Sequence, residues 1–126
     1  MEQIVEQWLL RFGLDAFLHA HVAGVVVLLP DHVRMDLLTD SSFRMCDYEP
    51  GRGVMMIPVG VPTRNTASRS VVFKRTLRRR PVEFVKYIIA HELAHAHLRN
   101  GGRWPGEDPE RAADALAAEW GFPRPS

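Results

Sequence analysis

The stretch Val82-Glu83-Phe84-Val85-Lys86-Tyr87-Ile88-Ile89-Ala90-His91-Glu92-Leu93-Ala94-His95-Ala96-His97-Leu98 reads as one helix. Pro81 stands at its start and Glu83 in its first turn, where a missing N–H and a negative charge both suit a helix N-terminus. Val85, Ile88, Ile89 and Leu93 recur at helical spacing, and Arg99-Asn100-Gly101-Gly102 supplies a basic last turn followed by a glycine cap. The apolar run from Tyr87 to Ala90 predicts a largely buried helix. His91, Glu92 and His95 are polar within it, and polar groups taken out of water need partners.

His91-Glu92-Leu93-Ala94-His95 is an H-E-x-x-H pattern. Histidines four apart on a helix share a face, so two imidazole nitrogens can reach one Zn²⁺ at about 2.0–2.1 Å. Glu92 is offset around the helix. It can reach a water on the metal without being a ligand, take its proton as general base and return it to a leaving amine. The bland alternative is a pair of satisfied surface histidines.

A catalytic zinc needs a third protein ligand and an open position. The candidates downstream are Glu107, Asp108, Glu110 and Asp114. Asp108 precedes Pro109 and reads as the cap of a last helix running through Ala112, Ala113, Leu116 and Ala117 to Trp120, with Gly121 and Pro123 ending it. Asn100 to Gly106 is short and glycine-rich, so this helix can fold back on the first. Glu110 would then complete the ligand set, with Asp114 as the alternative. In the leading arrangement Asp114, one turn on, bonds the far nitrogen of His91 and fixes its tautomer. An ordinary acidic surface stripe is the competing reading, although like charges four apart are mildly unfavourable without a cation.

Upstream the signals are weaker. Ile4, Trp8, Leu9 and Phe12 predict a helix over 2–12 ending at Gly13, and a second short helix over 14–22 is possible. The run Val25 to Leu29, stopped by Pro30, predicts a buried strand, and alternating Val33, Met35 and Leu37 predict a half-buried one. Phe43 to Tyr48 and Val54 to Val59 flank Glu49-Pro50-Gly51-Arg52-Gly53 and read as a hairpin, with Pro58 marking its second arm as an edge. Residues 60–69 read as a polar loop and Ser70 to Lys74 as a short strand or an extended lead-in. The expected class is α+β: a small, twisted, mostly antiparallel sheet with an N-terminal helix, the His91 helix and the Glu110 helix.

With 126 residues, 46% of them hydrophobic, the chain is expected to form a single domain over 1–126 and to need no disulfide. Cys46 is the only cysteine and reads as buried in a strand, which suits a reducing compartment. The N-terminus is acidic where a secretory leader would be basic. The longest apolar run, Val22 to Leu29, falls far short of the roughly 20 residues that cross a bilayer. A cytoplasmic protein without a membrane partner is expected. The net charge of +1 conceals an asymmetry: residues 1–63 carry eight acids and four bases, residues 64–126 seven acids and twelve bases. Lys74, Arg75, Arg78, Arg79 and Arg80 form a basic run before the site helix. It lacks interleaved aromatics and a recognition-helix pattern, so a solvated segment is favoured over a nucleic-acid partner.

His91-Glu92-Leu93-Ala94-His95 followed by Glu110-Arg111-Ala112-Ala113-Asp114 resembles the gluzincin metallopeptidases, the minigluzincins among them. In these a downstream E-x-x-x-D supplies the glutamate ligand and an aspartate supporting a histidine. Val82 to Leu98 is also similar to the ImmA/IrrE and SprT-like metallopeptidases. The spacing from His95 to Glu110 is shorter than in most ImmA-like proteins, and no histidine follows His97 to serve as a SprT-like third ligand. The resemblance covers about residues 70–122. It implies a minimal zincin-like fold and a zinc metalloendopeptidase acting on a protein or peptide bound along an edge strand, either Val54 to Val59 or Ser70 to Lys74. An ImmA-like regulatory module with a structural zinc, or a DNA-associated SprT-like protease, are the alternatives it allows. Tyr87, His32 and Tyr48 are the candidates for an oxyanion stabiliser. His97 lies about 200° around the helix from His95 and reads as a helix C-terminal histidine. His19 and His21 read as surface residues.

Overall fold

In the computed structural model the described residues are 1–49, 69–99 and 108–126. Five α-helices and two strands follow in the order α1 (Glu2–Leu10), α2 (Ala16–Val26), α3 (Asp31–Leu38), β1 (Arg44–Tyr48), β2 (Ser70–Lys74), a 3₁₀ turn (Arg75–Arg79), α4 (Val82–Leu98) and α5 (Pro109–Glu119). The class is α+β, but β1 and β2 are parallel, with Arg44 opposite Ser70 and Tyr48 opposite Lys74. This corrects the expected antiparallel sheet. The second arm of the expected hairpin, Val54 to Val59, lies outside the described residues.

Neither upstream strand forms: Val33, Met35 and Leu37 lie in α3, and the run Val25 to Leu29 ends α2 at Val26 and turns over 27–29, so the helix expected over 14–22 is present and extended as α2. Val25 and Val26 belong to α2, whose start is set by Asp15: its side chain accepts from the Leu18 N–H at 2.8 Å. Leu18, Val22, Val25 and Val26 are all fully buried, so α2 is an internal helix. A short β-branched run cannot by itself tell a buried strand from a buried helix, and here the cap and the burial decide. In α3 the alternation of Val33, Met35 and Leu37 is also misleading. Val33 and Leu37, four apart, are buried, whereas Met35 is 56% exposed. Arg34, expected on the outer face, turns inward and donates to the carbonyls of Leu29 at 2.6 Å and Val27 at 3.3 Å, closing the end of α2.

The expected face of α1 holds at Trp8 and Leu9, and Phe12 packs beside it, but Val5 takes the place of Ile4. Val5, Trp8 and Leu9 are buried, while Ile4 is 58% exposed. Trp8 stacks on Phe43 with ring centroids 5.5 Å apart, tying α1 to the segment that leads into β1. The chain turns after α1 at Gly13, whose φ of +64° suits a residue without Cβ.

α4 is the hub, packing against α5, α2, α3 and β2. Val85, Ile89, Ala90, Leu93 and Ala94 are fully buried, which agrees with the apolar reading of this helix. It ends at Arg99, in the left-handed conformation with φ 56° and ψ 36°, whose N–H closes on the His95 carbonyl. The expected glycine cap at Gly101 lies outside the described residues, and an arginine takes the left-handed position instead. Among the described residues no helix is long and apolar enough to cross a membrane.

Candidate metal centre

Two helix stripes meet at the site. On α4, Tyr87, His91 and His95 follow at four-residue intervals and therefore share a face. On α5, Glu110, Ala113, Asp114 and Ala117 form the corresponding stripe, with both alanines fully buried. The alanines let the helices approach closely enough for the two carboxylates to reach the imidazoles. Asp108 starts α5 by accepting from the Arg111 N–H at 3.2 Å, as expected of a cap, and so places Glu110 in the first turn. Glu107 lies outside the described residues.

His91 Nε2 lies 2.7 Å from Glu110 Oε2 and 3.1 Å from His95 Nε2. His95 Nε2 lies 3.3 Å from Glu110 Oε1. On its other side, His91 Nδ1 is 2.7 Å from Asp114 Oδ1, and the Tyr87 hydroxyl donates to that same oxygen at 2.6 Å. The structure thus brings Glu110 to the two histidine Nε2 atoms and Asp114 to the far nitrogen of one of them. Possible ligand atoms of His91, His95 and Glu110 all lie within 4.8 Å of one another, so this cluster could hold a metal ion.

The donor chemistry fits such an ion. Burial would raise the Asp114 pKa, but hydrogen bonds from Tyr87 and His91 outweigh it and hold the carboxyl below its ordinary value. Asp114 is therefore an acceptor, and His91 Nδ1 carries the proton donated to it. On its other side the ring turns Nε2 toward a carboxylate oxygen of Glu110, a contact that a proton on Nε2 or a shared cation would satisfy. Glu110 has the same character. Burial pushes its pKa up, and hydrogen bonds from His91 and His95 pull it below the ordinary range. Ligands about 2.0–2.1 Å from a tetrahedral zinc are about 3.3 Å apart, close to the nitrogen–nitrogen and His95–Glu110 separations found here, while His91 and Glu110, at 2.7 Å, would have to part to admit the ion.

Glu92 is partly buried beside this cluster. Burial raises its pKa, the charges of His91 and His95 oppose the rise, and Glu110 adds to it. It also lines a cleft of about 520 Å³ between β2 and the start of α4, with Leu77, Phe84 and Ile88 among the apolar lining.

The three oxyanion candidates are placed very differently. The Tyr87 hydroxyl is held by Asp114, and burial followed by that hydrogen bond pushes its pKa up to about 12. The signal for this link was its position four residues before His91, on the same helix stripe. His32 stacks edge-on against His97 with ring centroids 5.9 Å apart. Tyr48 ends β1, in register with Lys74. His97 is not merely a dipole partner, since its Nδ1 lies 2.7 Å from Asp36. His19 pairs with Glu6 at 2.6 Å, and Cys46 is buried in β1. In the basic run, Arg75 pairs with Asp47 at 2.8 Å, Arg78 approaches Glu49 at 3.7 Å, and Arg80 lies 4.2 Å over the Phe84 ring.

No family model, no curated protein and no solved structure matches the chain. The gluzincin resemblance therefore rests on these residues alone.

Proposed function

We propose that the chain is a zinc-dependent peptidase of minimal gluzincin type, with His91, His95 and Glu110 as the metal ligands. The observation that carries the reading is the convergence of His91 Nε2, His95 Nε2 and the Glu110 carboxylate, with Asp114 against the opposite ring nitrogen of His91. A zinc ion there would polarise a scissile carbonyl and lower the pKa of its water. Glu92 supplies the base. It follows the first histidine on α4 and lines the adjoining cleft, where it can reach a water beside the ligands. It takes the proton of the attacking water as the new C–O bond forms and gives it to the nitrogen as the C–N bond breaks. Asp114 orients His91, and Tyr87 orients Asp114.

The test is zinc content together with turnover. Purified protein should hold about one zinc per chain and cleave an unfolded protein such as casein. His91→Ala should lose both. Glu92→Gln should keep the zinc while cleavage falls about 10²–10⁴-fold. Absence of zinc, with His91→Ala leaving stability unchanged, would falsify the reading. Bound zinc that supports the melting temperature without any turnover would replace it with a structural site.

A further inference from the structure

The basic run divides into two sets. Arg75 and Arg78 turn toward Asp47 and Glu49 on the β1 side. Lys74, Arg79 and Arg80 line the cleft that Glu92 also lines. All three are exposed, and no ion pair to a carboxylate joins them among the described residues. Arg80 is fixed by its stack on Phe84, which places a guanidinium over an aromatic wall of the same cleft. The other lining is aliphatic, with Leu77 and Ile88. With three cations against the one carboxylate of Glu92 in its lining, this apolar-walled cleft is complementary to an apolar side chain flanked by negative charge.

We propose that this cleft selects peptides in which an apolar residue is flanked by acidic ones, and that Lys74, Arg79 and Arg80 are the residues that impose the selection. The proposal rests on the peptidase reading for the identity of the ligand as a peptide. A single-stranded nucleic acid could also answer a basic cleft, but such sites present aromatic faces on which bases stack. Here Phe73 is buried and the face of Phe84 is covered by Arg80.

The experiment uses the full chain carrying Glu92→Gln, supplied with zinc, so that bound peptide is not consumed. Fluorescence anisotropy compares two labelled peptides sharing one apolar core, one flanked by glutamates and one by lysines. The acidic peptide should bind about tenfold tighter or more at low salt, and the preference should shrink as ionic strength rises. Adding Lys74→Glu and Arg79→Glu should abolish or invert the preference without moving the melting temperature. Arg79→Lys should retain it, which a merely structural role would not predict. Equal affinity, a preference for the lysine peptide, or no binding of either overturns the proposal. So does a labelled single-stranded oligonucleotide that binds tighter than the acidic peptide and is displaced from the same cleft. Wild-type turnover separates the two claims. Charge-selective binding without cleavage supports the cleft and removes hydrolysis, whereas cleavage indifferent to flanking charge removes only the selectivity.

Discussion

On one side of α4, Arg69 is buried among Asp36, Asp40 and the Ala96 carbonyl; on the other, His91 and His95 are gathered with Glu110 and Asp114. Both clusters place two carboxylates against groups of the same helix. The first contains its own cation. Arg69 donates to Ala96 at 3.0 Å and to Asp40 at 2.6 Å, and pairs with Asp36, to which His97 is also bonded. In the second, among the described residues, neither Glu110 nor Asp114 forms an ion pair with an arginine or lysine; both pair with histidine. Arg124 acts on Asp114 through its charge alone, and the His91, His95 and Glu110 ligand atoms lie close enough together to hold a metal ion. One cluster is complete as a structural tie among α3, α4 and the start of β2. The other could hold a metal ion.

That contrast can be broken most easily at Arg69. Arg69→Met should destabilise the fold by about 3 kcal/mol, because it leaves two carboxylates facing an apolar chain. Urea denaturation measures this. Zinc stoichiometry of the folded variant should be unchanged, and a loss of zinc would show that the clusters are not independent.

A smaller effect is expected at the other cluster. Asp114→Ala removes the acceptor of both Tyr87 and His91 and should weaken zinc binding about 10–100-fold. Competition with a chromogenic chelator reads this directly. An unchanged zinc affinity would take Asp114 out of its supporting role.

The smallest effect is the acid limb of stability. The Asp40 carboxyl is pulled down to about 2, first by the Ser42 hydroxyl and backbone N–H and then by Arg69. Asp36 is lowered as well: burial opposes, and His97 and Arg69 prevail. A carboxyl with a depressed folded-state pKa stabilises the fold fully above its ordinary value of 3.8. That contribution is lost as pH falls from there toward about 2. With solvent screening of these partly exposed groups, the Asp40 share should be about 1 kcal/mol. Asp40→Asn should flatten the slope of unfolding free energy between about pH 4 and pH 2. An unchanged slope would remove Asp40 from the tie.

The candidate site was more legible than the fold around it. His91, Glu92 and His95 lie within five consecutive residues of one helix, where a local period of 3.6 residues fixes which side chains meet. Glu110 and Asp114 obey the same rule on α5. The Arg69 tie left no such trace. Arg69 stood in a stretch read as a polar loop, and its partners Asp36 and Ala96 are 33 and 27 residues away. Nor could periodicity reveal that Val33 and Leu37, rather than Val33 and Met35, share the buried face. Alternating and four-apart patterns coexist in that segment, and only what packs against it selects one.

The sequence by itself determined α4 with its polar stripe, the cap and acidic face of α5, and the strand positions Arg44–Tyr48 and Ser70–Lys74. Each depends on near neighbours: a proline or aspartate at a helix start, a four-residue spacing, a short β-branched run. The tertiary structure alone decided that α2 continues through Val25 and Val26, that α3 is a helix, that β1 and β2 run parallel, and that Arg69 pairs with Asp36 and Asp40. It also decided that the Glu92 cleft keeps three cations free of carboxylate partners among the described residues. These outcomes depend on burial and on charges brought together from distant parts of the chain, and burial exists only once the chain has packed.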